Sequence, residues 1–115
     1  MHRIYHLSTC DTCRKILQKL PVQGVDLINL REKNISAEDL DFMKSKKGNY
    51  ESLFNKKAQK WKAMPESDRP VNDQQFRDLI LSEYTFLKRP AAIVGSDVFA
   101  GNDASTVDEL REALS

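Results

Sequence analysis

The chain holds two cysteines, Cys10 and Cys13, separated by two residues within "YHLSTCDTCRKILQKL", Tyr5 to Leu20. Two thiols at that spacing can exchange with a disulfide, bind a metal or form a structural crosslink. Two cysteines make a thin framework for a secreted domain. The opening "MHRIYHLSTC" also lacks the apolar core of a signal peptide. A cytoplasmic location is therefore expected, where lasting structural disulfides are uncommon. The metal alternative has suitable ligand types, since His2, His6, Cys10 and Cys13 form a zinc set. Yet His2 and His6 lie along one extended stretch, without the turn that a zinc knuckle places between its ligands.

Redox chemistry is favoured by where the pair falls. Cys10 stands where a strand gives way to a helix, and there unpaired amides and the helix dipole favour thiolate over thiol. That marks Cys10 as the nucleophile. Cys13, one turn on, shares an apolar stripe with Ile16 and Leu17. A less exposed thiol there suits a resolving role, attacking a mixed disulfide once Cys10 has formed it. Arg14 and Lys15 add positive charge nearby. His6 either holds a proton or charge near the thiolate or is an ordinary strand-end histidine.

The elements that must position these residues follow from periodicity. "RIYHL" (3–7) is short, β-branched and aromatic, and reads as a strand. Ile16, Leu17 and Leu20 continue the spacing from Cys13 as one face of a helix, which Pro21 and Gly24 end. "VDLINL" (25–30) is a second strand, so the first 30 residues form a βαβ unit with parallel strands. The middle is helical and more polar. Ser36 with Asp39 and Asn72 with Gln75 resemble helix caps, with Ile35/Leu40 and Val71/Phe76 as the accompanying hydrophobic staples. The first of these helices should stop at Gly48, with a short turn over 50–54. The second presents Phe76, Leu79, Ile80 and Tyr84 on one face. "AAIV", Gly95-Ser96 and "DVFAG" form a hairpin. A last helix starts near Thr106, with Glu109 completing a capping box and Val107, Leu110 and Leu114 facing the core. The expected fold is α/β and thioredoxin-like: a four-stranded mixed sheet (β-α-β, helical middle, β-β-α) flanked by helices.

The bulk properties agree with one domain over residues 1–115. The chain is 40% hydrophobic and 30% charged, which is globular rather than disordered composition. A net charge of +1 gives no electrostatic reason to expect nucleic acid, and no apolar run reaches the length of a membrane span. Pro90 opens the third strand directly after Arg89. In a thioredoxin layout such a proline is a candidate for a cis bond facing the active cysteine. The turn would carry Arg89 toward Cys10, where a guanidinium can hold an oxyanion bidentately. The alternative is a plain strand-start proline beside a solvated arginine.

Three segments in order resemble the ArsC/Spx family of thioredoxin-fold proteins: "YHLSTCDTCRKIL", "LFNKKAQKWKAM" and "FLKRPAAIVGSDVFAGND". The second is similar to the family's L-x-N-T-R-x-x-x-W-x-K-L segment. The third is similar to its I-K-R-P strand and hairpin. The resemblance implies that Cys10 is the catalytic cysteine, which in the arsenate reductases attacks arsenate before glutathione and glutaredoxin restore the thiol. It implies that Arg89 binds the oxyanion and that His6 lies near the cysteine. Lys57 takes the place of the family's middle arginine, and lysine keeps the charge without the planar fork. No arginine in "VFAGNDAST" matches a third ligand of the dedicated reductases. Cys13 departs from those reductases, which usually carry serine, and agrees with the Spx-type members.

Two functions follow from different classes. One is a thiol-dependent oxidoreductase that reduces an oxyanion or a disulfide. It would hold no bound cofactor and take electrons from glutathione with glutaredoxin, or from thioredoxin. Its site would be Cys10 and Cys13, with Arg89, Lys57, Arg14 and His6 toward the oxyanion. The other is an Spx-type redox regulator that binds the RNA polymerase alpha subunit. There Gly48 lies near a contact glycine, though a helix-capping glycine is the commoner explanation.

Overall fold

The computed structural model describes residues 1–115. The chain divides into two compact units, one of Met1–Asn34 with Arg89–Ser115 and the other of Ile35–Lys88. The first carries a four-stranded sheet in the order β2-β1-β3-β4, from β1 (His2–His6), β2 (Asp26–Asn29), β3 (Ala91–Val94) and β4 (Asp97–Ala100). β1 and β2 are parallel, joined through helix α1 (Asp11–Gln18). β3 runs antiparallel to β1, and β4 closes an antiparallel hairpin on β3. Gly95 turns that hairpin with φ +63°, a conformation that favours glycine.

One face of this sheet is closed by α1 and by helix α5 (Ala104–Leu114). Ile4 of β1 and Ala92 and Val94 of β3 form a core with Ile16 and Leu20 from α1 and its end, and with Leu110 of α5. Val107 and Leu114 pack at its margin, half-buried. All four residues of β3 are buried, as a central strand requires. α5 starts three residues earlier than the Thr106–Glu109 box implies. Asp103 is the cap, its Oδ2 accepting from the Thr106 N–H at 3.2 Å and from the Ser105 and Thr106 hydroxyls at 2.8 and 2.9 Å. A carboxylate collecting three donors outcompetes a threonine hydroxyl for that place.

The second unit holds α2 (Ala37–Lys47), α3 (Gln59–Ala63) and α4 (Asp73–Ser82), with 3-10 turns at Glu51–Leu53, Glu66–Asp68 and Tyr84–Phe86. Ser36 caps α2 by accepting from the Asp39 N–H at 3.1 Å, and Ile35 and Leu40 are both buried. Gly48 closes α2 at φ +95°, its N–H donating to the Lys44 carbonyl. Asn72 caps α4 through the Gln75 N–H, and Gln75 reaches back to the Val71 N–H. The staple expected there does not form: Val71 is 86% exposed, while Phe76 is buried. Phe76 packs instead on Phe54, which also touches Trp61 and Phe86, all with ring centroids near 5 Å. Tyr84 is not on the α4 face either. Extended Glu83, φ −150°, ends the helix and Tyr84 begins the next 3-10 turn.

Leu110 is the one fully buried side chain of α5. Leu110→Ala should cost about 2–5 kcal/mol of stability, read as a lowered urea midpoint with an unchanged slope. A loss under about 0.5 kcal/mol would show that α5 is not part of this core.

Candidate functional site

Cys10 is the N-cap residue of α1, extended at φ −97° and ψ 114°. Its thiol occupies the place where Ser, Thr or Asp usually offers an oxygen to the first helical amides, and it makes no capping bond itself. The first intrahelical bond runs from the Arg14 N–H to the Cys10 carbonyl, 3.0 Å. The amides of residues 11–13 therefore have no partner within the helix. The Cys10 N–H donates to the Leu7 carbonyl at 3.1 Å, which closes the loop between β1 and α1. Cys13 lies one turn on at 1% exposure, and Cys10 is half-buried.

Burial is the main influence on Cys13 and pushes its thiol up from the ordinary value. A hydrogen bond from the Leu7 backbone and the positive charge of Arg89 pull it down. The Cys10 sulfur raises it again, by its charge and by accepting a hydrogen bond from Cys13. Two things follow: the two thiols interact, and Arg89 is close enough for its charge to act on Cys13. The Arg89–Pro90 peptide bond is cis.

The other expected ligands have surroundings of their own. The Arg14 guanidinium is exposed and bonds to the Asp11 carboxylate within the first turn of α1. His6 is half-buried at the end of β1, and the charge it feels is that of Glu32. Lys57 belongs to the second unit, where it is exposed and its backbone N–H donates to Asn55 Oδ1 at 3.1 Å. No three His, Cys, Asp or Glu side chains come together as a metal-ligating group.

The comparison that decides the lineage is a match of the ArsC family model to residues 5–110. The chain belongs to the ArsC family. No curated protein matches it. Among solved structures it is similar to a YffB protein, at 19% identity over the whole of both chains with a TM-score of 0.82. It is also similar to the arsenate reductase from Vibrio cholerae, at 21% identity over 95% of this chain and 96% of that one, TM-score 0.76. An arsenate reductase-related protein from Brucella melitensis matches at 23% over 94% and 92%, TM-score 0.70. These likenesses show the shared α/β fold, a four-stranded mixed sheet flanked by helices.

In this ArsC-family chain the structure adds residues that spacing does not single out. Asn29, the last residue of β2, pairs with His6 in the sheet and bonds by its side chain to Ser8. Such a partner, 21 residues from Ser8, leaves no local signal. Leu7 enters through its backbone, which no side-chain pattern reports.

Two predictions follow from the burial of these groups. Iodoacetamide on the folded protein should label Cys10 and spare Cys13 until denaturant is added, as mapped by peptide mass. Equal labelling of both would contradict a buried resolving thiol. Burial also holds the His6 imidazole below its ordinary 6.5, against the opposing pull of Glu32. Below that value the unfolded chain takes up a proton that the folded chain resists. The contribution of neutral His6 is therefore complete above 6.5 and declines as the pH falls further. Urea midpoints should drop between about pH 7.5 and about 5.5 in the wild type and drop less in His6→Gln. An identical drop in both would assign the effect elsewhere.

Proposed function

We propose that this protein is a thiol-dependent reductase of the arsenate reductase type, with Cys10 as nucleophile and Cys13 as resolving thiol. The observation that carries this reading is the placing of two interacting thiols at the start of α1, one half-buried and one buried, the buried one within reach of the charge of Arg89. Family membership and the fold shared with the Vibrio cholerae enzyme support it.

Against a disulfide, the Cys10 thiolate attacks one sulfur and displaces the other as a thiolate, leaving a mixed disulfide. The negative charge on Cys10 is then gone. With it goes an influence that kept Cys13 protonated. Cys13 loses its proton, attacks Cys10 Sγ and displaces the second thiolate. The substrate gains two electrons, and Cys10–Cys13 becomes the oxidised pair. Against arsenate, the Cys10 sulfur replaces one oxygen, which departs as water after protonation. A second thiol attacks that sulfur, the S–As pair of electrons passes to arsenic, and arsenite leaves. That second thiol is Cys13 or glutathione. Arg89 balances the charge of the oxyanion. Glutathione with glutaredoxin, or thioredoxin, restores the dithiol.

The regulator reading gains no separate support, because capping of α2 at φ +95° is sufficient reason for Gly48.

The test is turnover of arsenate and of a small disulfide with glutathione, glutaredoxin and NADPH. The wild type should turn over at least one of them, and Cys10→Ser should be at background. Cys13→Ser should accumulate a mixed disulfide with glutathione at Cys10, seen as a mass increase. Turnover that survives Cys10→Ser would refute the mechanism. Full arsenate turnover in Cys13→Ser would assign resolution to glutathione.

A further inference from the structure

Ser8 is gripped from two sides by one distant side chain. Asn29 Oδ1 accepts from the Ser8 N–H at 3.2 Å, and Asn29 Nδ2 donates to Ser8 Oγ at 2.9 Å. The same Oδ1 accepts from the Arg31 N–H at 3.2 Å, which fixes the amide in the turn after β2. That turn is itself pinned to the sheet, since the Leu30 N–H donates to the His6 carbonyl at 2.7 Å. The Glu32 and Lys33 amides close on the Asn29 carbonyl at 2.9 and 3.0 Å. Asn29 is half-buried, so these bonds are partly shielded from water.

What the grip holds is the segment on which both sulfurs depend. Leu7, the residue before Ser8, accepts from the Cys10 N–H and donates from its backbone toward the Cys13 sulfur. Cys10 has no capping bond of its own to fix its side of the turn. The loop is therefore held by β1 on one side and by α1 on the other, with Asn29 at its middle.

We propose that Asn29 is a positioning residue for the dithiol: by clamping Ser8 it sets the Leu7 backbone, and through it the approach of Cys13 to Cys10. This rests on the dithiol reading above. Closure of a disulfide needs the attacking sulfur in line with the bond it breaks, and loosening such a geometry lowers the rate without removing any reacting group.

The experiment is equilibration of the full chain with reduced and oxidised glutathione. One oxidised glutathione and the dithiol give Cys10–Cys13 and two reduced glutathiones, and the equilibrium constant is the effective molarity of the pair. Asn29→Ala should lower it about tenfold, the scale of one to two hydrogen bonds. Ser8→Ala, which keeps the bond to the Ser8 N–H, should lower it less. Asn29→Asp should restore most of it, because a carboxylate accepts from both amides and from the Ser8 hydroxyl. Ile28→Val, the neighbour in β2, loses packing but no bond of the clamp and should leave it unchanged. Should Asn29→Ala fail to fold, the order Asn29→Asp above Ser8→Ala decides. An unchanged value in Asn29→Ala, or an equal fall in Ile28→Val, would overturn the proposal while leaving the dithiol reading standing. A wild-type chain that forms no Cys10–Cys13 disulfide would overturn both.

Discussion

Docking of α1 onto the sheet is the constraint on which the candidate site depends. The helix has eight residues, too few to persist alone in water. It exists because Ile16, with Leu20 just past its end, is buried against Ile4, Ala92 and Val94. The same stripe, continued one turn toward the N-terminus, is Cys13. Packing and chemistry thus share one helix: the docking of Ile16 and Leu20 sets α1 on the sheet, with Cys13 buried one turn before Ile16 and Cys10 at the helix start. A polar substitution at Ile16 would act on the thiols without touching them.

Burial explains why the two thiols differ although they are a turn apart. An exposed dithiol would titrate as two similar groups, and either could attack. Here burial is the largest influence on Cys13 and pushes its thiol up, while Leu7 and Arg89 oppose that without reversing it. Roles follow from position. Arg89 reaches this place on the segment that opens β3, and β3 is the strand paired with both β1 and β4. The charge beside the thiols is therefore set by the most buried strand of the sheet, not by a mobile loop.

Local signals in the sequence account for much of this. Period and punctuation locate β1, α1, β2 and the β3–β4 hairpin to within a residue or two, and Ser36 and Asn72 cap as their spacing implies. What escaped depends on competition or distance. Asp103 displaces Thr106 as a cap because a carboxylate takes more donors. Val71 stays in solvent because Phe76 finds Phe54 in place of a staple. Arg14 lies beside the cysteines in sequence yet turns to Asp11, a partner three residues away. Charge proximity along a chain says little about where a long, flexible side chain points.

Asn29 belongs to the class that only a fold reveals. In sequence it is a polar residue ending an apolar strand, of the kind found at many strand ends. Its meaning comes from parallel pairing, which sets it beside His6 and so beside the loop that leaves β1. In a parallel pair the two strands end on the same edge of the sheet. The residue that ends the second strand is therefore always near the loop that follows the first. A βαβ unit with a nucleophile at its first strand-to-helix junction places a supporting side chain there by topology alone. The amide suits that place because it offers an acceptor and a donor together, and Ser8 presents the complementary pair.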